Sequence, residues 1–242
     1  NILKHDYIPL ANILDELLNT AKDAFGSPIE LEWAVDLTKT DNNLPSFYLL
    51  QIKPIVTALI NKDLTIKKPD KISSVLYTES SLGNGEISTI KDLIYVDPEK
   101  FDYLKTLDMV REIEFLNEQL LKHNRNYILI GPGRWGTRDR FLGIPVTWAQ
   151  ISNAKVIVEI SIPNFPLDSS LGSHFFHNIT SMNVGYLSVQ DSSLTDFINW
   201  DIVNKQKVIT QTEFFKHIQF EKPLKIVMNG KQRKSLISLN NH

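Results

Sequence analysis

Glu30 and Glu32, in Ile29-Glu30-Leu31-Glu32-Trp33-Ala34, stand two residues apart and so share one face of any strand that carries them. Gln51 and Lys53 repeat that spacing in Leu50-Gln51-Ile52-Lys53-Pro54. If the two segments pair, a single face holds two carboxylates, an amide oxygen and an ammonium. Such oxygens are hard ligands of the kind Mg²⁺ takes up together with phosphate oxygens. The neighbouring cation is placed to neutralise charge on a phosphoryl group in transfer. A solvated strand face with two salt bridges fits the same residues, and spacing does not separate the two readings.

A second cluster follows a strand-like run, in Ile128-Leu129-Ile130-Gly131-Pro132-Gly133-Arg134-Trp135-Gly136-Thr137-Arg138-Asp139-Arg140. Glycines such as Gly131 and Gly133 let backbone amides approach an anion, and Arg134 and Arg138 supply forked donors to phosphate or carboxylate. The pattern is neither a Walker loop nor Gly-x-Gly-x-x-Gly. Its plain alternative is a rigid turn with surface arginines, one of them paired to Asp139, but a tryptophan at position 135 has little purpose in a plain turn. Further on, His174 and His177 lie at i and i+3 and would face the same way on a helix. They suit a metal pair, a base with its orienting partner or a phosphate carrier, or two packed histidines. No third ligand accompanies them, so a zinc site is not expected.

These groups need elements to hold them. Apolar residues from Leu10 to Phe25 recur with a helical period and Gly26 follows as a stop. Residues 29–36 and 47–52 read as strands around the turn cluster Asp41-Asn42-Asn43, giving an antiparallel hairpin packed on a helix. The polar, basic stretch 61–73 reads as a linker. Beyond it, strands are expected near 75–77, 94–96, 127–130, 155–162, 184–189 and 224–228. Helices are expected at 106–123, 193–204 and 213–220, and the tail from 231 to 242 reads as polar and frayed. The layout is therefore 1–60, a linker 61–73, an α/β domain 74–230 and the tail 231–242.

Composition narrows the classes. The chain has 242 residues, with 26 basic and 28 acidic side chains and a formal charge of −2, so no nucleic-acid or membrane surface is expected and any anion site must be local. The absence of cysteine excludes disulfides and thiolate chemistry and fits a reducing, cytoplasmic setting. No apolar run reaches membrane-spanning length. The first residue is not Met, and the opening helix and hairpin read as the end of something longer.

Ser27-Pro28-Ile29-Glu30-Leu31-Glu32-Trp33-Ala34-Val35-Asp36 followed by Tyr48-Leu49-Leu50-Gln51-Ile52-Lys53-Pro54 resembles the end of the ATP-binding domain of pyruvate phosphate dikinases and phosphoenolpyruvate synthases. The helix ending Ala24-Phe25-Gly26 is similar as well. The resemblance covers about residues 1–56. It implies an α/β (α+β) chain in which the C-terminal remnant of an ATP-grasp domain precedes a mixed-sheet α/β domain. It implies too that Glu32 and Gln51 help to hold Mg²⁺-bound ATP, that Glu30 occupies an acidic position, and that Lys53 stands where the family has a catalytic arginine. A point charge in place of a planar guanidinium is not a conservative change for phosphate geometry. The remainder of the ATP-grasp domain would be a missing N-terminal part of the same polypeptide, so this stretch alone is expected to be inactive. The family's phosphohistidine hallmark is not reproduced, although Arg140 to Val146 echoes part of it, and that role is not carried over to His174 or His177. The function expected is an ATP-dependent phosphotransferase acting on a nucleotide and a small phosphorylated or carboxylate substrate. The rival is a non-catalytic module that senses an anion through Arg134 and Arg138.

Overall fold

A computed structural model describes residues 9–25, 29–38, 45–54, 64–66, 69–163, 165, 184–190 and 193–240, without the side chains of 22–25, 53 and 54. The chain divides into two compact units, Asn1–Asn61 and Lys62–His242, and the division falls inside the stretch expected to be a linker.

In the first unit the helical spacing of Leu10, Ile13, Leu14, Leu17 and Ala21 becomes α1 (Leu10–Phe25). Pro9 precedes it, and its carbonyl accepts the amide of Ile13 at 3.0 Å. Strands β1 (Ile29–Asp36) and β2 (Ser46–Pro54) pair antiparallel. A two-stranded sheet is marginal alone, and α1 packs on both strands. Trp33 stacks on Phe47 with ring centroids 5.8 Å apart, yet Tyr48 and Leu50 remain 52% and 62% exposed.

Among the described residues, the second unit builds a seven-stranded and a five-stranded sheet and a small parallel pair. The strands are β3 (Ser74–Thr78), β4 (Ser81–Leu82), β5 (Gly85–Ile87), β6 (Asp92–Val96), β7 (Tyr127–Pro132), β8 (Arg134–Trp135), β9 (Gly143–Ile144), β10 (Ala154–Ile160), β11 (Gly185–Val189), β12 (Phe197–Ile198), β13 (Lys207–Gln211), β14 (Phe215–Gln219), β15 (Lys225–Asn229) and β16 (Lys234–Ser238). The larger sheet runs β13-β14-β6-β7-β10-β11-β4, with β6, β7, β10 and β11 parallel and the outer strands antiparallel. The smaller runs β12-β3-β16-β15-β5, antiparallel throughout. The pair is β8 with β9.

Both faces of the parallel strands are buried, which is why 93–96, 127–130 and 156–158 read as apolar runs without alternation. Alternation sends Ile94, Val96, Tyr127, Leu129 and Ile157 against Met109, Ile113, Leu116 and Leu120 of α2 (Thr106–Lys122). Leu93, Tyr95, Ile128, Ile130, Val156 and Val158 turn the other way, onto Val75, Leu76, Ile226, Met228 and Ile237 of the smaller sheet. The result is a helix, sheet and sheet in layers. Asn124, with φ 55°, stops α2. The Arg125 amide returns to the Leu120 carbonyl at 2.9 Å and the Asn124 amide to Leu121 at 3.0 Å, which closes a Schellman turn.

Three sequence expectations are corrected. Glu213–Phe220 is not a helix: Phe215–Gln219 is strand β14, because Phe215 and His217 fill one face and Ile218 the other while β6 supplies the backbone partners. Of Ser193–Asn204 only α3 (Trp200–Asn204) is helical. It starts where the Asn199 side chain accepts the Ile202 amide. The tail from 231 onward is not frayed through its length, since Lys234–Ser238 sits between β15 and β3 with Ser235 and Ile237 buried. The remaining expected strands and helices lie within a few residues of their observed bounds. No helix among the described residues is long and apolar enough to cross a membrane.

Candidate functional site

The β1–β2 register sets Glu30 opposite Lys53 and Glu32 opposite Gln51. Directly opposed residues of an antiparallel pair share a face, so the two carboxylates and the Gln51 amide stand together and are exposed. Immediately after Glu32 the register slips and Leu50 is left without a partner, a bulge that bends the strand beside these groups. The backbone of Lys53 is described but its side chain is not. Among the described residues no three His, Asp or Glu side chains cluster as metal ligands. Mg²⁺ bound with a nucleotide needs only one or two protein carboxylates, so the donor set fits that ion in chemistry and number.

The glycine loop meets a different fate. The amides of Gly133, Arg134 and Gly136 donate to the carbonyls of Ile160, Leu142 and Ile144 at 3.0, 2.9 and 2.9 Å. That of Trp135 donates to Oε1 of the fully buried Glu159 at 3.0 Å. The amides of residues 133–136 are thus engaged inside the protein. Trp135 has a packing role: it is 2% exposed, and its Nε1 donates to the Val158 carbonyl at 3.2 Å. Gly131 makes room for it, since a Cβ there would lie 2.4 Å from the indole. Arg134 is half-buried, Arg138 is exposed, and exposed Arg140 lies over the Phe141 ring at 4.9 Å. Asp139 accepts the Phe141 amide at 2.9 Å. His174 and His177 lie outside the described residues.

Gly143 closes this loop against β8. A Cβ at Gly143 would stand 1.9 Å from the Arg134 carbonyl oxygen, and a backbone oxygen cannot swing aside. Gly143→Ala is expected to cost about 1–3 kcal/mol, read as a lower urea midpoint with an unchanged slope.

Sequence reading missed a third constellation, at the carboxyl ends of the parallel strands, where open α/β sheets tend to bind ligands. A cavity of about 690 Å³ is lined by Tyr95, Asp97, Trp200, Gln211 and Lys216 among others. A second, of about 370 Å³, lies beside the ends of β10 and β11. Both are bounded by Pro98 and Trp200. Lys216 Nζ is 2.8 Å from Asp97 Oδ2, and this hydrogen bond holds the ammonium pKa above the usual lysine range. The Tyr95 hydroxyl donates to Asn204 Oδ1 at 3.1 Å, and its ring meets Trp200 at 5.4 Å. The available signal was Asp97-Pro98 directly after a buried strand. Lys216 was hidden by its expected place on a helix.

No family model, no curated protein and no solved structure matches this chain.

Proposed function

We propose that the chain is part of an ATP-dependent phosphotransferase similar to phosphoenolpyruvate synthases and pyruvate phosphate dikinases, with the β1–β2 hairpin as the end of an ATP-grasp domain. One observation carries the reading: Glu30, Glu32 and Gln51 are gathered on one exposed hairpin face, with the bulge beside them. The exposed Tyr48, Leu49 and Leu50 support it, because apolar groups of that size suit a hairpin lying at the edge of a larger domain.

On this reading Glu32 and Gln51 hold the nucleotide-bound metal and Glu30 adds acidic charge beside it. Lys53 offers an ammonium to the transferring phosphoryl group. Mg²⁺, when bound, screens the phosphate oxygens so that an acceptor can approach. A cytoplasmic setting, where ATP is supplied, goes with this activity. The anion-sensing alternative would rest on the Arg134 and Arg138 side chains, since the amides of residues 133–136 are engaged internally.

The test uses the full-length protein with ATP and Mg²⁺ and follows nucleotide turnover and any phosphorylated intermediate. Glu32→Ala and Gln51→Ala are each expected to lower turnover by roughly 10²-fold, and chelation of Mg²⁺ is expected to abolish it. Turnover that neither substitution changes would sink the assignment, as would a lack of turnover with every acceptor tried.

A further inference from the structure

We infer that the cavity beside Trp200 is a binding site for a neutral, polyhydroxylated ring, a pyranose or a cyclitol. The inference does not rest on the ATP reading, because every residue it uses lies in the second unit.

The floor is made by two rungs of the larger sheet. Gln211 is opposed by Lys216, and Lys216 in turn by Tyr95, so the three stand in a row on one face. The next rung on that face is apolar, Val208 opposite Ile218. Trp200 and Asn204 of α3 form a wall, and Asp97, Pro98 and Glu99 form the lip after β6. The cavity is therefore polar along one side and apolar along the other. Its volume of about 690 Å³ lies within the range of small-molecule sites.

Charge selects among ligands. Among the described lining residues the one cation, Lys216, is already paired with Asp97 at 2.8 Å. Glu99 adds a further carboxylate at the lip. A phosphate or carboxylate ligand would meet two carboxylates and one neutralised ammonium. The face of the Tyr95 ring is already taken, since Lys216 Nζ stands 5.9 Å from its centre. What remains is a set of neutral, mixed donors and acceptors. Among the described residues neither the Gln211 amide nor Nδ2 of Asn204 has a hydrogen-bond partner, and an ammonium keeps N–H groups beyond the one given to Asp97. Hydroxyl groups donate and accept at once and suit such a set. The C–H face of a sugar or cyclitol ring suits Trp200, Val208 and Ile218.

The experiment labels the full chain with 5-fluorotryptophan and follows the Trp200 ¹⁹F resonance, assigned with Trp200→Phe. D-Glucose, D-galactose and myo-inositol are titrated to millimolar concentration, beside inorganic phosphate and D-glucosamine as charged probes. A saturable shift of Trp200 is expected with at least one neutral ring and with neither charged probe. Gln211→Ala and Asn204→Ala change exposed side chains, and each is expected to weaken that binding at least tenfold while the other tryptophan resonances stay in place. The assignment is overturned if no neutral ring moves Trp200, if phosphate or glucosamine moves it and the neutral rings do not, or if both alanine variants bind as the parent does.

Discussion

Asp92→Ala is expected to lower the free energy of unfolding by about 3–5 kcal/mol, the range for removing one partner of a buried charge cluster. Asp92 is 3% exposed at the start of β6. Its carboxylate accepts Nε of Arg125 at 2.9 Å, takes a second bond from Nη2 of the same guanidinium, and lies 2.8 Å from His217 Nε2. One carboxylate thus ties the turn after α2, the central sheet and β14 together. Its loss leaves the Arg125 guanidinium without this counter-charge and the buried His217 ring without this hydrogen-bond partner. Asp92→Asn keeps the volume and one acceptor and is expected to recover part of the loss. Urea unfolding of the second unit, followed by far-ultraviolet circular dichroism, reads the effect. The cluster sits at the amino ends of the parallel strands, so native-state ligand binding at the carboxyl ends should be unchanged in Asp92→Asn. A destabilisation by Asp92→Ala below about 1 kcal/mol, the scale of an exposed ion pair, would show that the cluster contributes no more than a surface contact.

Trp135→Ala is expected to cost a similar amount, about 3–5 kcal/mol, as for large aromatic side chains removed from a core. The indole fills the space over Gly131, meets Phe215 at 6.5 Å and donates to Val158. Deleting it opens a cavity between β7, β10 and β14 and leaves the Val158 carbonyl without that donor. Trp135→Phe should cost less, since most of the ring volume remains. The size of the effect also discriminates between two roles for the loop. A tryptophan that mainly contacted an anion near the surface would give a change of about 0.5 kcal/mol or less. The thermal midpoints of the two variants against the parent provide the measurement.

The two sites differ in how far the sequence exposes them. The hairpin face was readable because its partners are close in the chain and a period of two is a local property. Once Glu30 to Glu32 and Gln51 to Lys53 are strands joined by a turn, their juxtaposition follows. The glycine loop is less legible, because glycine records only that the backbone needs room. It does not say whether a ligand or a tryptophan occupies that room, and here Trp135 does. The Asp92 cluster left no local mark, since Arg125 and His217 stand 33 and 125 residues away from Asp92.

Hydrophobic period was enough, from the residue order alone, to establish α1, α2, the β1–β2 hairpin and the doubly buried strands β6, β7, β10 and β11, because each pattern reflects burial of one face or both. It failed at Phe215–Gln219, where a short apolar cluster suits a helix or a strand and the open backbone edge of β6 decides. It failed again at Lys234–Ser238, which looks like a polar tail until β15 and β3 offer partners on both sides. The cavity at the strand ends is the fullest case of this kind. Tyr95 and Asp97, Trp200 and Asn204, Gln211, and Lys216 come from separate segments, and only the pairing of β13 with β14 and of β14 with β6 brings them into one row and one wall. Hydrogen-bond partners of strands are chosen across the chain, and no spacing along it encodes that choice.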